Sequence, residues 1–499
     1  MSRAWRARAA WCLVAVGLAW VPFATYAQVE TLSGDPRLLE LAGWQDAPLR
    51  PWRTRNAFTR RSLGPGELAG PRGFIEANRA HYQADVDYAC RRPALARWFD
   101  LHLARIGAAP DCPAALPFVL AAPDDASPLL QLDPARVYEV DYLLAEGNDA
   151  AMSRWGHSML RVVVCAPGRT PGPDCRLDLG EHLVLSFRAF VDDVQVSSWR
   201  GLTGSYPSRL FVLPLTQVVA EYTEVELRGL RSIPLQLSRE EIRLLLQRAA
   251  LVHWSYDGRY AFIGNNCAVE TARLLQSGVP RLADMKLMSI TPTGLLRRLR
   301  RHGVVDHDVT TDRQEAVRLG YYFEAADAHQ QALYGVARDT LGLAWPKAGD
   351  WLALPAARRA DHFAQADLRS TAALLVLEQL ALRRIQAGAR DRLKRRIPAP
   401  GRAAARDNLG LEAVLTQPAA LLAGDGYGIP QPAELGELAQ KSAELAARWR
   451  RQRDELLVLA RQWLPDALAA ELEGTEANLR ALDERLRRLA LGTNGEESH

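Results

Sequence analysis

The sequence predicts an α+β fold with an antiparallel sheet, one capped helix and an all-helical C-terminal region. Three runs rich in β-branched and aromatic residues lie between residues 137 and 190, separated by turn-forming stretches. From about residue 310 onward, apolar residues recur at the three- and four-residue spacing of helices. Sheet-forming and helix-forming patterns therefore occupy different parts of the chain.

The predicted strands cover residues 137–144, 158–165 and 183–190, and a further strand could cover residues 225–230. The third run alternates apolar and polar residues with a period of two, which is typical of a half-buried strand. Residues 167–174 are rich in Gly and Pro. We expect them to close a hairpin between the second and third strands.

A helix is predicted to begin after Ser238. This serine forms a capping box with Glu241 three residues later, and the apolar residues that follow fall on one helix face. A second helix is predicted over residues 268–276, after an aromatic-rich link over residues 254–262. Cys267 therefore lies at or just inside a helix N-terminus.

The first 27 residues have the pattern of an export signal. Three arginines precede an apolar run over residues 9–23, and residues 25–27 offer a cleavage site with small residues. We expect the mature, periplasmic chain to begin near Gln28. An uncleaved anchor is the alternative, but the run is shorter than the ~20 residues that a spanning helix needs. No later stretch is long and apolar enough, so we expect a soluble mature protein without a transmembrane segment.

Length and charge narrow the class of protein. At 499 residues the chain is long enough for two or three domains, with an ordinary globular composition of 48% apolar and 24% charged residues. Its 62 basic residues, less the three arginines of the signal, leave 59 against 58 acidic ones. This balance excludes a general electrostatic footprint for nucleic acid. The predicted organisation is a signal peptide over 1–27, a helical leader over 28–130, a thiol domain over 131–305 and a helical C-terminal domain over 310–499.

The C-terminal domain is predicted to end in an antiparallel helical hairpin. Residues 435–463 and 467–491 carry apolar residues at helical spacing, laced with Arg and Glu and separated by a proline. Two basic clusters lie on the hairpin, at residues 448–451 and 485–488. They are either solvated helix faces or contacts with an anionic membrane surface, so peripheral membrane contact stays open.

The cysteine pattern predicts two disulfides and one free thiol. Five cysteines remain after the signal: Cys90, Cys112, Cys165, Cys175 and Cys267. In an oxidising compartment, Cys90–Cys112 and Cys165–Cys175 form the connectivity with the shortest loops. Cys267 is left over, and such a thiol is either buried among apolar groups or used.

His157 and Cys267 are the candidate base and nucleophile. A thiol becomes a useful nucleophile when a helix N-terminus or a neighbouring imidazolium stabilises its thiolate. Among the ten histidines, His157 is the best candidate because a glycine precedes it and a strand follows to hold it. A structural histidine at a strand start is the alternative. The order, His before Cys, reverses that of ordinary papain-like enzymes.

Two short motifs carry a resemblance to a known family. They are Gly156-His157-Ser158-Met159-Leu160-Arg161, entering a strand, and Asn265-Asn266-Cys267, entering a helix after the aromatic-rich link. In both motifs and their order, the stretch from Val137 to about Leu275 resembles the Lnb N-terminal periplasmic domain family. That family is similar to the permuted branch of NlpC/P60-type thiol enzymes, which also includes lecithin retinol acyltransferase-like proteins.

The resemblance implies a permuted papain-like core, in which the sheet carries the histidine and a helix carries the cysteine. In the permuted enzymes the group that orients the imidazole lies on the strand after the histidine strand, which indicates His182 or Ser186; we favour His182. The N–H of Cys267 is the natural oxyanion donor, helped by Asn266 or Asn265. Zinc on Cys267, His157 and His182 is an alternative without supporting spacing, so we expect neither metal nor cofactor.

Three functions remain open from the sequence. The first is acyl transfer through a Cys267 thioester with His157 as base, by a lipoprotein or lipid acyltransferase or an acyl hydrolase. The second is a cell-wall peptidase or amidase of the NlpC/P60 type, and the third is a non-catalytic periplasmic binding module. The partner is a lipid-linked or peptide substrate of the cell envelope. An acyl groove would use the aromatic residues Trp155, Trp199, Tyr206 and Phe262, whereas a peptidase would favour an open polar cleft.

Overall fold

A computed structural model of the chain describes residues 32–47, 50–54, 70–103, 110–121, 128–147, 156–189, 206–256, 258–261, 265–305, 312–396, 428–444, 447 and 464–493. The predicted export signal lies outside these residues.

The strands are β1 Trp44–Ala47, β2 Arg50–Thr54, β3 Leu116–Val119, β4 Leu129–Leu132, β5 Val137–Ala145, β6 His157–Val164, β7 Leu183–Ala189, β8 Tyr206–Pro214, β9 Leu230–Pro234, β10 Gly258–Tyr260 and β11 Tyr322–Phe323. The helices are α1 Pro36–Ala42, α2 Pro71–Ala84, α3 Tyr88–Arg91, α4 Pro93–His102, α5 Leu215–Val219, α6 Arg239–Ser255, α7 Cys267–Gly278, α8 Pro292–Arg301, α9 Arg313–Arg318, α10 Asp327–Leu341, α11 Ala348–Leu352, α12 Ala356–Ala360, α13 Leu368–Arg396, α14 over 432–444 and α15 Asp466–Thr493.

Helices and antiparallel sheets together confirm the α+β class. The largest sheet has seven antiparallel strands in the order β10-β8-β7-β6-β5-β9-β11. Its three central predicted strands lie within one or two residues of β5, β6 and β7. The strand predicted over residues 225–230 is wrong, because residues 220–225 form a π-helical turn and Leu227 takes a left-handed φ of 54°. That conformation is incompatible with a strand, which begins only at Leu230.

Alternate residues of the central strands face two different layers. Val140, Tyr142 and Leu144 of β5 share one core with α6, α7 and α8. Leu143 and Ala145 face the other side, where α5 and the following turn cover the sheet. A step of one residue along a strand therefore moves a side chain from one layer to the other.

Helix α6, which packs on the sheet, has the N-terminal cap that the sequence predicts. Ser238 accepts a hydrogen bond from the N–H of Glu241 at 3.2 Å, and the Glu241 carboxylate accepts from the N–H of Ser238 at 2.9 Å. Both bonds of the capping box are therefore present at the start of α6.

The predicted disulfides are confirmed. Cys90 pairs with Cys112 beside the aromatic core of the leader, and Cys165 pairs with Cys175 in the hairpin that follows β6. Cys267 is free and buried. The leader contains the helices α1 to α4, and it also contains the β1–β2 hairpin and strand β3, which the sequence pattern does not predict.

Two elements that follow the boundary predicted near residue 310 contact the sheet domain or the leader. β11 pairs with β9 and adds the last strand to the seven-stranded sheet. Ile429 lies in the core between the sheet and α6–α8, and Glu434 forms an ion pair of 2.8 Å with Arg91 of the leader. Parts of the C-terminal region therefore complete the sheet domain. A two-residue strand has no periodicity from which it could be predicted.

The long helices α13 and α15 of the C-terminal region pack on each other. α15 runs along α13, with Leu377 and Leu482 in one core. Arg359 is buried there and contacts Glu378 at 2.6 Å and Glu471 at 3.0 Å. The predicted partner of α15 is the helix over residues 435–463. Of that helix, only residues 435–444 and 447 are described.

Two buried arginines bind the sheet to the segment before β11. Asp141 of β5 contacts Arg176 at 2.8 Å and Arg161 of β6 at 3.7 Å, and all three side chains are almost fully buried. Arg161 also donates to the carbonyl of Gly320 at 2.5 Å and to the hydroxyl of Ser232 at 3.1 Å. Because a buried charge without partners costs several kcal/mol, this network fixes residues around 320 to the sheet.

The substitution Arg161→Met tests this network. It should lower the free energy of unfolding in urea by ~3–5 kcal/mol, because Asp141 loses one of its two cations and the Gly320 carbonyl loses a donor. Arg243→Met is the matched control: Arg243 forms an exposed pair with Glu240 on α6, so its loss should cost less than ~1 kcal/mol. Similar losses in the two variants would show that the buried network contributes little.

Candidate active site

Cys267 is the first residue of α7, and its position depends on the preceding asparagine. The Asn266 side-chain oxygen caps the helix by accepting from the N–H of Ala268 at 3.1 Å and of Val269 at 3.3 Å. Its amide nitrogen donates to the carbonyl of Ile290 at 2.8 Å. These bonds fix the thiol at the positive end of the helix, as the sequence predicts.

The Cys267 thiol is surrounded by hydrogen-bond donors but is 4% exposed. Burial raises its pKa, against the opposing effect of the Ser158 N–H and hydroxyl and of the N–H groups of Cys267 and Ala268. We expected a helix N-terminus and an imidazolium to lower this pKa. Burial acts in the opposite direction here, and desolvation of the thiolate outweighs the donors around it.

His157 is the first residue of β6. Its Nε2 hydrogen-bonds the hydroxyl of Ser186 at 3.1 Å, and its ring stacks on Tyr222 with centroids 6.2 Å apart. Burial, and then the charges of Arg188 and Arg228, lower the pKa of His157 to about 3. The imidazole is therefore neutral near pH 7.

A glycine is required before this histidine. Gly156 has a φ of +82°, and a Cβ at this position would lie 2.4 Å from the carbonyl oxygen of Ala145. A larger residue would push β6 away from β5 where the strand begins. The close backbone approach inferred from the Gly-His pair is present.

The thiol and the imidazole contact β6 from different sides. Ser158, the partner of Cys267, faces the layer of α6–α8, whereas His157 faces the layer of α5. The hydrogen-bond and ring contacts of His157 are with Ser186 and Tyr222. The candidate base His157 and Ser158, which lies beside the candidate nucleophile Cys267, are adjacent residues of β6, but the described contacts of His157 do not include Cys267.

His182, the favoured orienting group, has partners other than His157 in the described structure. Its Nδ1 accepts from Arg161 at 2.8 Å and its Nε2 donates to the carbonyl of Cys175 at 2.8 Å, so both ring nitrogens belong to the buried arginine network. Burial, and then Arg161, lower the pKa of His182 to about 4. Ser186, the other candidate, is the residue that contacts His157. His182 precedes the first residue of β7, where the ring turns toward the disulfide hairpin.

The side chains of the two asparagines predicted as oxyanion donors have other partners here. Asn266 is the helix cap described above, and the Asn265 side-chain oxygen accepts from the side chain of Arg273, in the second turn of α7. The N–H groups of Cys267, Ala268 and Ser158 are the candidate oxyanion donors of this arrangement.

Sequence reasoning did not single out three residues beside the thiol. Ser158 lies beside it and acts to lower the pKa of the thiol, although only its place in the Gly-His-Ser motif draws attention to it. Burial, and then the charge of Cys267, raise the pKa of both Tyr142 and Tyr260. Tyr260 belongs to the aromatic-rich link before Cys267, and this position is the sequence feature from which its role could have been predicted.

The metal site, membrane span and acyl groove considered from the sequence can be compared only with the described residues. Within the described ranges, no three His, Cys, Asp or Glu side chains lie close enough to hold a metal ion. Among the helices there, none has the length and hydropathy needed to cross a membrane. The side chains proposed for an acyl groove, Trp155, Trp199, Tyr206 and Phe262, lie outside the described part.

Two family models match the chain. Residues 124–302 match the Lnb N-terminal periplasmic domain, and residues 12–112 match a domain of unknown function (DUF7844). The searches of curated proteins and of solved structures found no match. The first match spans both candidate motifs, and the second includes both cysteines of the leader disulfide.

A periplasmic domain together with two disulfides indicates an exported protein. The match over residues 124–302 confirms the resemblance to the Lnb N-terminal periplasmic domain family that the two motifs indicate.

Proposed function

We propose that the chain is an exported cysteine-dependent acyl-transfer enzyme that works through a Cys267 thioester. The observation that carries this proposal is the surroundings of the thiol. It is free in a protein whose other described cysteines are paired, and it lies at a capped helix N-terminus, where the N–H groups of Ser158, Cys267 and Ala268 and the Ser158 hydroxyl act to lower its pKa against the effect of burial. A buried structural thiol has no need of such donors.

The reaction has two steps. The Cys267 sulfur attacks the carbonyl carbon of an ester, its proton passes to His157, and the imidazolium returns that proton to the leaving alkoxide. An amine or water then attacks the thioester and releases the acyl group. The N–H groups of Cys267, Ala268 and Ser158 stabilise first the thiolate and then the negative oxygen of the tetrahedral intermediate.

The base acts only after a local movement. The imidazole would leave Ser186 and turn to the side of β6 where the thiol lies. His157 is the first residue of its strand and follows Gly156, so a rotation there disturbs few ladder hydrogen bonds. Substrate binding would favour the turned state by its differential affinity for it.

The permuted papain-like core belongs to this proposal. A histidine on a strand that precedes a cysteine on a helix is the order of the permuted NlpC/P60-like enzymes, and the antiparallel sheet packed against α7 supports the relation. The burial of the thiol beside Tyr142 and Tyr260 favours an apolar acyl group over the open polar cleft of a peptidase.

An acyl-enzyme experiment tests the chemistry. Incubation with a 4-nitrophenyl acyl ester should add one acyl group to Cys267, detected by peptide mass mapping. The adduct should be absent in Cys267→Ser, and His157→Ala should form it ~10²–10⁴-fold more slowly, as expected for loss of a general base. His329→Ala, which replaces an exposed histidine on α10, is the control and should react like wild type. If the wild-type protein forms no adduct, the binding-module alternative is favoured.

The pH dependence of alkylation tests the resting state. A thiol whose pKa is raised is mostly protonated near neutral pH, so iodoacetamide labelling of Cys267 should stay slow there and increase only above the ordinary pKa of ~8.5. Ser158→Ala should move this increase to still higher pH, because the thiolate loses a hydroxyl donor.

In the same experiment His157→Ala should leave the labelling profile unchanged, since the imidazole contacts Ser186 and not the thiol at rest. A profile midpoint below the ordinary value that rises in His157→Ala would mean that the two groups form an ion pair in the free protein. The inferred movement of His157 would then be unnecessary.

A further inference from the structure

Residues 285–302 form a basic surface next to the candidate thiol. This stretch contains Lys286, Arg297, Arg298, Arg300 and Arg301 but no Asp or Glu. The leucines of α8 face the core, whereas Arg297 and Arg301, one turn apart, are exposed. Among the described residues, no carboxylate pairs with any of these five cations. The positive charge on this surface is therefore not neutralised within the described protein.

Two large apolar side chains are exposed on the same surface. Met288 and Ile290, in the loop before α8, are 37% and 55% exposed. Arg298 donates to the carbonyl of Lys286 at 3.0 Å, which holds this loop against α8. Exposed apolar groups and unpaired cations therefore lie side by side, a combination typical of surfaces that bind at the membrane interface.

We infer that the surface of residues 285–302 docks the protein on the anionic phosphate layer of a lipid bilayer. The arginines would contact lipid phosphates, and Met288 and Ile290 would enter the interface between headgroups and acyl chains. Charge complementarity selects this partner, because an uncharged or zwitterionic surface offers no net attraction for five cations. Shallow insertion of the two apolar side chains distinguishes a bilayer from a soluble polyanion.

A basic cluster elsewhere in the chain lacks this combination. In the C-terminal cluster, Arg485 donates to the carbonyl of Ala366 at 2.9 Å, and Arg487 pairs with Asp483 at 2.9 Å. These arginines already have partners within the protein. The cluster at residues 448–451 lies outside the described part.

The docking surface is connected directly to the candidate nucleophile. The carbonyl of Ile290 accepts the 2.8 Å hydrogen bond from the side chain of Asn266, the residue before Cys267. A bilayer in contact with Ile290 would therefore lie close to the N-terminus of α7. The docking inference itself does not depend on thiol chemistry, since the exposed surface exists whatever Cys267 does.

Vesicle co-sedimentation of the full chain tests the inference. Wild type should bind vesicles that contain phosphatidylglycerol and phosphatidylcholine, bind vesicles of phosphatidylcholine alone at least tenfold more weakly, and lose affinity as salt increases. Arg297→Glu with Arg301→Glu should weaken binding to anionic vesicles at least tenfold. Met288→Ser with Ile290→Ser should weaken it as well while leaving the salt dependence in place.

The matched control is Arg358→Glu with Arg369→Glu, which reverses two exposed arginines in another part of the chain and should bind like wild type. An unchanged midpoint of thermal unfolding verifies that each variant is folded. Equal affinity of wild type and the Arg297/Arg301 variant would overturn the inference, and so would binding to soluble polyphosphate that is as tight as binding to vesicles.

Failure of the proposed chemistry is distinguishable from failure of docking. Cys267→Ser should bind anionic vesicles like wild type, because the thiol is not part of the surface. If the protein binds vesicles but forms no acyl-enzyme, the proposed function is refuted and the docking inference stands. If it forms the acyl-enzyme but binds no vesicles, only the docking inference is refuted.

Discussion

The buried contact between Asp141 and the two arginines is the constraint on which much of the sheet domain depends. Asp141 is fully buried on the central strand β5, and Arg161 reaches it from β6. Removing three charges from water is unfavourable unless every donor and acceptor finds a partner. Those partners come from distant parts of the chain: the Cys165–Cys175 hairpin supplies Arg176, and the segment before β11 supplies the Gly320 carbonyl. The network therefore selects one arrangement of hairpin, sheet and edge strand.

The same network gives a physical role to the arginine of the Gly-His-Ser-x-x-Arg motif. Arg161 lies four residues after His157 on β6, so the two side chains face the same layer of the sheet. Arg161 binds His182 there and holds its ring away from His157. The motif thus combines a residue proposed for chemistry with a residue that stabilises the strand carrying it. An arginine close to a histidine in sequence is not by itself a sign of catalysis.

Local signals in the sequence predict much of this fold. The capping box at Ser238, the period of β7 and the pairing of four cysteines each depend on residues close together in the chain, and the structure agrees with each. Contacts between distant residues are not encoded in this way. The two-residue strand β11 exists because β9 offers it an edge, and the ring of His182 turns toward Cys175 because Arg161 occupies its other side.

At the candidate site too, local features can be predicted from the sequence, whereas properties that depend on packing cannot. The sequence correctly places Cys267 at a helix N-terminus, since the asparagine cap is a local feature. It also suggests that this position lowers the pKa of the thiol, but the sign depends on burial, which arises from the packing of α7 against the sheet. Likewise, adjacent residues of β6 face opposite layers, so proximity of two motifs in the fold does not ensure contact between their side chains.

A buried, protonated thiol is consistent with a surface that positions the protein on a membrane. A thiolate exposed in an oxidising compartment would be open to oxidation and to disulfide exchange, whereas a neutral buried thiol is protected. Under the proposed function, activation would require a local change at the N-terminus of α7 and at the start of β6. Asn266 connects the helix to the loop of Met288 and Ile290, so insertion of that loop into a bilayer would act on the residue next to the candidate nucleophile. This connection offers a physical route by which a lipid surface could favour the reactive state of Cys267.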